Sequence, residues 1–227
     1  MTEEGRLVIG FDALPQPIID GLQRRVHERP DLPQVYHISE LVYGLKKAFY
    51  RRKFPELDSF SLDSLLSIFR GQLFDGALTP LFQVNQRSYV VHRGNVTITG
   101  TFDFLWQDDE GTLTLFDLKM PKSVYYKRLK GATQGNVRQV QSYLAMAHAN
   151  GELLDVHQCG VLMIAEYPVQ QFVTEDDAIL PWLWNRAFAL DHALTVGSPK
   201  ALSCPEEKWE CDAKYCAYTK ICKQEEM

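Results

Sequence analysis

The chain has 227 residues and a formal net charge of -5; its length favours one domain with an appendage, at ~150 residues per domain. With 45% hydrophobic and 23% charged residues it reads as neither a disordered nor a membrane protein. The acidic balance argues against a uniformly basic nucleic-acid coat.

The first six residues lack a basic segment followed by an apolar run, so no signal peptide is expected, and no apolar run is long enough to cross a bilayer. A first helix is expected from about Ile18 to Glu28, stopped by Pro30 and Pro33. A second takes Ser39 as N-cap and sets Leu41, Leu45, Ala48 and Phe49 on one side. The third has the cleanest helical period, through Leu62, Leu65, Leu66, Phe69 and Leu73, with Gly71 and Gly76 interrupting its end. Alternation then replaces the helical period: Tyr89 to Val91, Asn95 to Gln107 and Thr112 to Lys119 read as strands. A helix follows from about Gln134 to Ala149, closed by Asn150-Gly151. Val161 to Ile164 is a buried strand with Gln170 to Val173 as a neighbour, and a helix holding Trp182, Trp184, Phe188 and Leu194 ends near Gly197. The expected class is α+β, or mixed α/β. It divides into a helical lobe (1–80), a core (81–200) and a cysteine-rich tail (201–227) that packs on the lobe.

The cysteine count is 5, and four of them (Cys204, Cys211, Cys216, Cys222) crowd the tail. That pattern suits a metal site in a reducing cytoplasm better than a disulfide framework. Cys159, beside Gly160-Val161-Leu162, reads as core.

The most informative segment is a hairpin. Thr97 to Trp106 and Leu113 to Lys119 are joined across Asp109-Glu110-Gly111, a three-residue loop with glycine last. In this register Asp108 faces Thr112, so Asp103 falls opposite Asp117, with Cβ atoms about 4.5–5.5 Å apart. Lys119 shares their face. Two carboxylates among Phe102, Phe104, Leu115 and Phe116 repel one another and resist burial. A divalent cation removes both problems, since hard cations take carboxylate oxygens. An exposed ion cluster is the other reading of the same three residues.

Asp-x-Lys on a strand, preceded by Gly100-Thr101-Phe102-Asp103, resembles the core of the PD-(D/E)xK nuclease superfamily in its RecB-like branch. Gln139 and Tyr143 fit that branch's Gln-x-x-x-Tyr, spaced to share one helical face. Ser39 to Tyr50 resembles its opening helix, and Cys216 and Cys222 its iron–sulfur tail. In this order the chain from Ser39 to Cys222 resembles the CRISPR-associated RecB-like exonucleases, the fourth CRISPR-associated protein family. The resemblance implies a restriction-endonuclease-like core sheet flanked by helices, with a helical lobe tied by a C-terminal cysteine–metal centre. It implies Mg²⁺ or Mn²⁺ on Asp103, Asp117 and the backbone carbonyl of Leu118. Lys119 would act on the attacking water or the developing charge, and Gln139 and Tyr143 would orient phosphate or Lys119. It further implies exonuclease action on single-stranded DNA, often 5′→3′, beside a CRISPR integrase.

Two departures from the family stand out. Where it places a metal-binding histidine after a glycine, Gly71 is followed here by Gln72, Leu73, Phe74 and Asp75, and Asp75 is the candidate replacement. Where it places a cluster cysteine in the opening helix, this chain has Gly44, and four residues separate Cys211 from Cys216. Four tail thiolates would make good that loss, holding a [4Fe–4S] cluster in preference to structural Zn²⁺, although the ligand chemistry suits either. A stand-alone repair or recombination nuclease and a non-catalytic DNA-binding adaptor are the alternatives.

Net charge conceals an asymmetry. Val42 to Pro55 holds Lys46, Lys47, Arg51, Arg52 and Lys53, and Lys119 to Gly151 holds Lys119, Lys122, Lys127, Arg128, Lys130 and Arg138. Neither stretch contains any of the 29 acidic residues, and Tyr125 and Tyr126 lie within the second, where aromatic rings can stack on bases. Lys46, Lys47, Arg51, Arg52, Lys122, Tyr125, Tyr126, Lys127, Arg128, Lys130 and Arg138 are the expected DNA-tracking surface, with two solvated helix faces as the other reading.

Overall fold

The computed structural model describes residues 32–57, 62–203, 205, 208–213 and 216–224. The expected helix from Ile18 to Glu28, and Cys204, lie outside them. The strands are β1 (Val35–His37), β2 (Val84–Arg93), β3 (Val96–Gln107), β4 (Leu113–Lys119), β5 (Gln158–Ile164) and β6 (Pro168–Thr174). The α-helices are α1 (Ile38–Leu41), α2 (Leu45–Lys53), α3 (Leu62–Leu78), α4 (Tyr125–Lys130), α5 (Gln134–Ala149), α6 (Ile179–Val196) and α7 (Thr219–Gln224). No helix among the described residues is long and apolar enough to cross a membrane.

The strands form one mixed sheet in the order β1-β3-β4-β5-β6, with β2 also paired to β3. The strand β3 organises it. Its burial alternates residue by residue, as a period of two requires. β2 runs antiparallel along β3 from Val84↔Leu105 to Arg93↔Val96 and so takes one whole edge. The other edge is shared: β1 pairs in parallel with Thr97–Thr99, and β4 pairs antiparallel from Phe104↔Phe116 to Gln107↔Leu113. Gly100 to Asp103 therefore lies in a gap between two partners. β4 is buried along its middle and joins β5 in parallel, which makes it the central strand.

Gly100 lets helices close over that gap. A Cβ there would meet Ile38 of α1 and stand 2.8 Å from the Tyr143 ring of α5, so only a residue without one permits the approach. The main core lies between the sheet and helices α2, α5 and α6, with Phe49, Phe102, Leu115, Val140, Leu144 and Leu190 among its members. Phe82, Phe104, Phe116 and Phe172 make a separate aromatic row, with centroids 4.0, 5.3 and 5.9 Å apart in turn. The tail joins the main core through buried Tyr218, whose ring stacks on Tyr50 of α2 at 6.0 Å.

Several elements differ from the sequence reading. The helix expected from Ser39 is two helices, with His37 and Gly44 at their N-caps. Arg186 of α6 causes the break, because its guanidinium donates to the carbonyls of Leu41 and Tyr43. Gly71 and Gly76 do not interrupt α3, which continues to Leu78. The short β1 and α4 carried no expectation, since three and six residues are too few to show a period.

Candidate active site

The hairpin has the expected register. Asp108 donates its backbone N–H to Thr112 O at 3.1 Å, and one step inward from Phe104↔Phe116 places Asp103 opposite Asp117. β4 has left β3 by this point, and the Leu118 N–H donates instead to Asp103 Oδ2 at 2.5 Å. The gap thus exchanges a backbone bond for a side-chain one. Asp117 is buried, and Lys119 Nζ sits 2.7 Å from its Oδ2. The Lys119 ammonium is thus the partner of this buried oxygen.

Asp75 arrives from α3. Gln86 Nε2 donates to its two oxygens at 2.9 and 3.1 Å and reaches Asp103 Oδ1 at 3.4 Å. All three carboxylates, with Lys119, line one groove of 760 Å³. Gln139 and Tyr143 line it too, joined by a buried 2.6 Å bond from Gln139 Nε2 to the Tyr143 hydroxyl.

The electrostatics follow from this crowding. Burial, then the charge of Asp117, push Asp103 up to about 7, against the opposing pull of the Leu118 N–H and Lys119. Burial raises Asp117 as well, with Lys119 opposing, and burial and the Asp117 charge raise Asp75 despite the bond from Gln86. Lys119 goes the other way: burial would lower it, but the Asp117 carboxylate outweighs burial and keeps it protonated. The site therefore holds more negative charge than its surroundings stabilise. An added cation relieves all three carboxylates at once. Among the described residues no three His, Cys, Asp or Glu side chains stand arranged to hold an ion as they are; the fit is one of donor chemistry.

The tail forms a second, smaller cavity of 140 Å³, lined by Cys211, Cys216 and Cys222 together with Gly44 and Pro205. A Cβ at Gly44 would stand 3.1 Å from Pro205 Cβ. The position without a cysteine thus packs against the residue that follows Cys204. Cys204 itself lies outside the described residues.

The basic residues divide. Arg52 is committed to the fold: its guanidinium forks onto Glu40 at 2.9 and 2.8 Å and donates to Leu32 O and Val35 O. Lys46 and Lys47 line the cysteine cavity rather than the carboxylate groove. Arg51 belongs to the last turn of α2, and Arg138 lies over the Trp182 ring at 4.6 Å. Lys122 and Tyr125 are exposed, and Lys127, Arg128 and Lys130 fill the last turn of α4; the Tyr126 side chain lies outside the described set. Lys119 is the one lysine or arginine among the described residues lining the groove. Sequence reading passed over Gln86, whose left-handed φ of 46° has no signature in its residue type.

A family model for the PD-(D/E)XK nuclease superfamily matches residues 21–223. Among solved structures, the one titled as SSO0001 superposes with a TM-score of 0.66 at 15% identity, over 92% of this chain and 95% of that one. An alkaline exonuclease, LHK-Exo from Laribacter hongkongensis, superposes with a TM-score of 0.50 at 13% identity, over 72% of this chain and 89% of its own. At such identities the likeness is one of fold. The comparison with curated proteins returns no match. With the sheet, the opposed aspartates and the family model in agreement, the chain belongs to the PD-(D/E)XK nuclease superfamily.

Proposed function

We propose that the protein is a metal-dependent DNA exonuclease of the RecB-like branch, preferring single-stranded DNA and acting 5′→3′ in CRISPR spacer acquisition beside an integrase, in the cytoplasm. The observation that carries the enzymatic part is the buried Asp117, opposite Asp103 and beside a protonated Lys119. Asp103, Asp117 and the Leu118 carbonyl, with Asp75, would hold Mg²⁺ or Mn²⁺. Such an ion supplies Lewis-acid activation of the scissile phosphate and of water. Lys119, held at 2.7 Å from Asp117, is placed to hold the attacking water or to stabilise charge growing on the phosphoryl oxygens. The Gln139–Tyr143 pair, fixed against Gly100, orients the phosphate at the gap. Asp75 puts a carboxylate where the family pattern has histidine, which favours an enzyme over a non-catalytic adaptor. A neighbour of the same fold titled as an alkaline exonuclease favours attack from ends, while the CRISPR role rests on the motif order alone. A stand-alone repair nuclease would use the same site.

Cys211, Cys216 and Cys222, converging on one cavity beside Pro205, would hold a [4Fe–4S] cluster with Cys204, or structural Zn²⁺ in its place. Lys122, Tyr125, Lys127, Arg128 and Lys130 would track DNA.

The test is degradation of single-stranded DNA with Mn²⁺ by the wild type and by Asp117→Ala and Lys119→Ala. Both variants are expected to lose activity by about 10²-fold or more; undiminished degradation by both would sink the assignment. Iron and zinc analysis of anaerobically purified protein decides the tail's metal. Genomic neighbours decide the pathway.

A further inference from the structure

We propose that Gln86 is a positioning residue for the carboxylate site: its side-chain amide, carried at a left-handed step inside β2, ties Asp75 of α3 to Asp103 of β3. The inference rests on the nuclease reading above. Three observations carry it.

First, the β2–β3 ladder passes from Asn85↔Phe104 to Arg87↔Phe102, so Gln86 stands directly opposite Asp103 without pairing to it. Its φ of 46° lies where a long side chain rarely sits. Directly opposed residues share a face, so the amide is within reach of Asp103 from this position, and the left-handed step withholds the Gln86 backbone from the ladder. Second, one amide nitrogen meets both carboxylates, at 2.9 and 3.1 Å for Asp75 and 3.4 Å for Asp103. A neutral donor steadies two like charges without adding a cation that would compete with a metal for the same oxygens. A lysine at this place would neutralise the site it was meant to arrange. Third, α3 needs such a tie. Its Leu66, Leu73 and Phe74 are 38, 54 and 42% exposed, so apolar packing alone holds it weakly to the sheet. The bond from Thr79 Oγ1 to Asp75 O at 2.6 Å fixes the local turn of the helix, whereas Gln86 fixes where the carboxylate stands relative to β3.

The test separates backbone from side chain. Gln86→Gly removes the amide and relaxes the left-handed φ; the lost tie and the relieved backbone oppose each other, so its melting temperature should stay within a few degrees of the wild type. Its Mn²⁺ affinity, read as free Mn²⁺ by electron paramagnetic resonance on the full chain, should fall about 10-fold or more. Gln86→Asn tolerates the same φ but is one methylene shorter, and should fall between the two. In a double-mutant cycle, Gln86→Gly added to Asp75→Ala should cost little further affinity, since both remove one arrangement. Wild-type Mn²⁺ affinity in Gln86→Gly, or simple additivity with Asp75→Ala, would overturn the proposal. If Asp117→Ala loses Mn²⁺ while Gln86→Gly keeps it, only this inference fails. If the wild type and Asp117→Ala both bind none, the nuclease site reading fails and takes this one with it.

Discussion

Arg52 offers the sharpest choice between a role in the fold and a role on DNA. Its side chain and that of Glu40 are each 6% exposed, with Nη2 2.8 Å from Oε2. The guanidinium also bonds Leu32 O and Val35 O and lies 4.6 Å over the Tyr36 ring. Burial would push the Glu40 carboxyl up, but the Arg52 bonds and charge prevail and hold it below its ordinary value. Arg52→Ala leaves that carboxylate buried with the His37 N–H donating at 2.9 Å and the guanidinium gone. Breaking a buried pair from one side costs about 3–5 kcal/mol. At about 2–4 °C per kcal/mol for a chain of this size, the melting temperature should drop by roughly 6–20 °C. The deficit should be greatest at neutral pH. It should shrink as pH falls below the ordinary Glu value of 4.5, because the stranded carboxyl then takes a proton and the wild type loses its own benefit. Arg52→Lys should recover part of the loss, since one ammonium cannot reproduce the fork. Replacing both partners, as Arg52→Met with Glu40→Leu, should be milder than Arg52→Ala alone. Thermal denaturation across pH reads all three variants. A variant that melts within about 2 °C of the wild type while losing DNA affinity would refute this reasoning and return Arg52 to the DNA surface.

Asp103 sets a pH dependence of its own. Its proton is held up to about 7 in the fold against an ordinary 3.8, so the folded state binds it more tightly than the unfolded chain. That stability is present in full below pH 3.8 and lost as pH rises through about 7. Asp103→Asn should therefore gain in melting temperature over the wild type as pH climbs through that window without divalent ions; a flat difference contradicts the assignment. Gly100→Ala forces the Tyr143 ring and Ile38 apart and should cost about 1–3 kcal/mol in urea denaturation. It should also lower nuclease activity, as Tyr143 leaves Gln139; an unchanged midpoint would mean the gap is looser than described.

What the sequence made legible depended on how local the cause was. Asp103 opposite Asp117 follows from a three-residue loop and strict alternation, both local causes. The split after Leu41 depends on Arg186, more than 140 residues away, and no local pattern could announce a guanidinium arriving from α6. Arg52 was read as surface because a run of basic residues on a short helix looks solvated; only the placement of Glu40 and of two carbonyls from β1 and its approach turns it inward. Asp75 was named on chemistry, as a carboxylate in place of a histidine. Its partner Gln86 was not, since only its place opposite Asp103 brings that amide to the site. The gap in β3 was equally hidden, because it arises from two partners competing for one edge.

That same hairpin has a consequence for how the chain reaches this structure. Asp103 and Asp117 meet through a turn so short that closing it costs little chain entropy, whereas β1 must find Thr97–Thr99 from 62 residues away. The repelling pair is therefore assembled early, before distant elements could supply a compensating charge. Lys119 lies two residues beyond Asp117 in the same hairpin and reaches its Oδ2 at 2.7 Å. The unit that creates the electrostatic conflict carries its own counter-ion, so later docking of the helices buries a pair already partly neutralised.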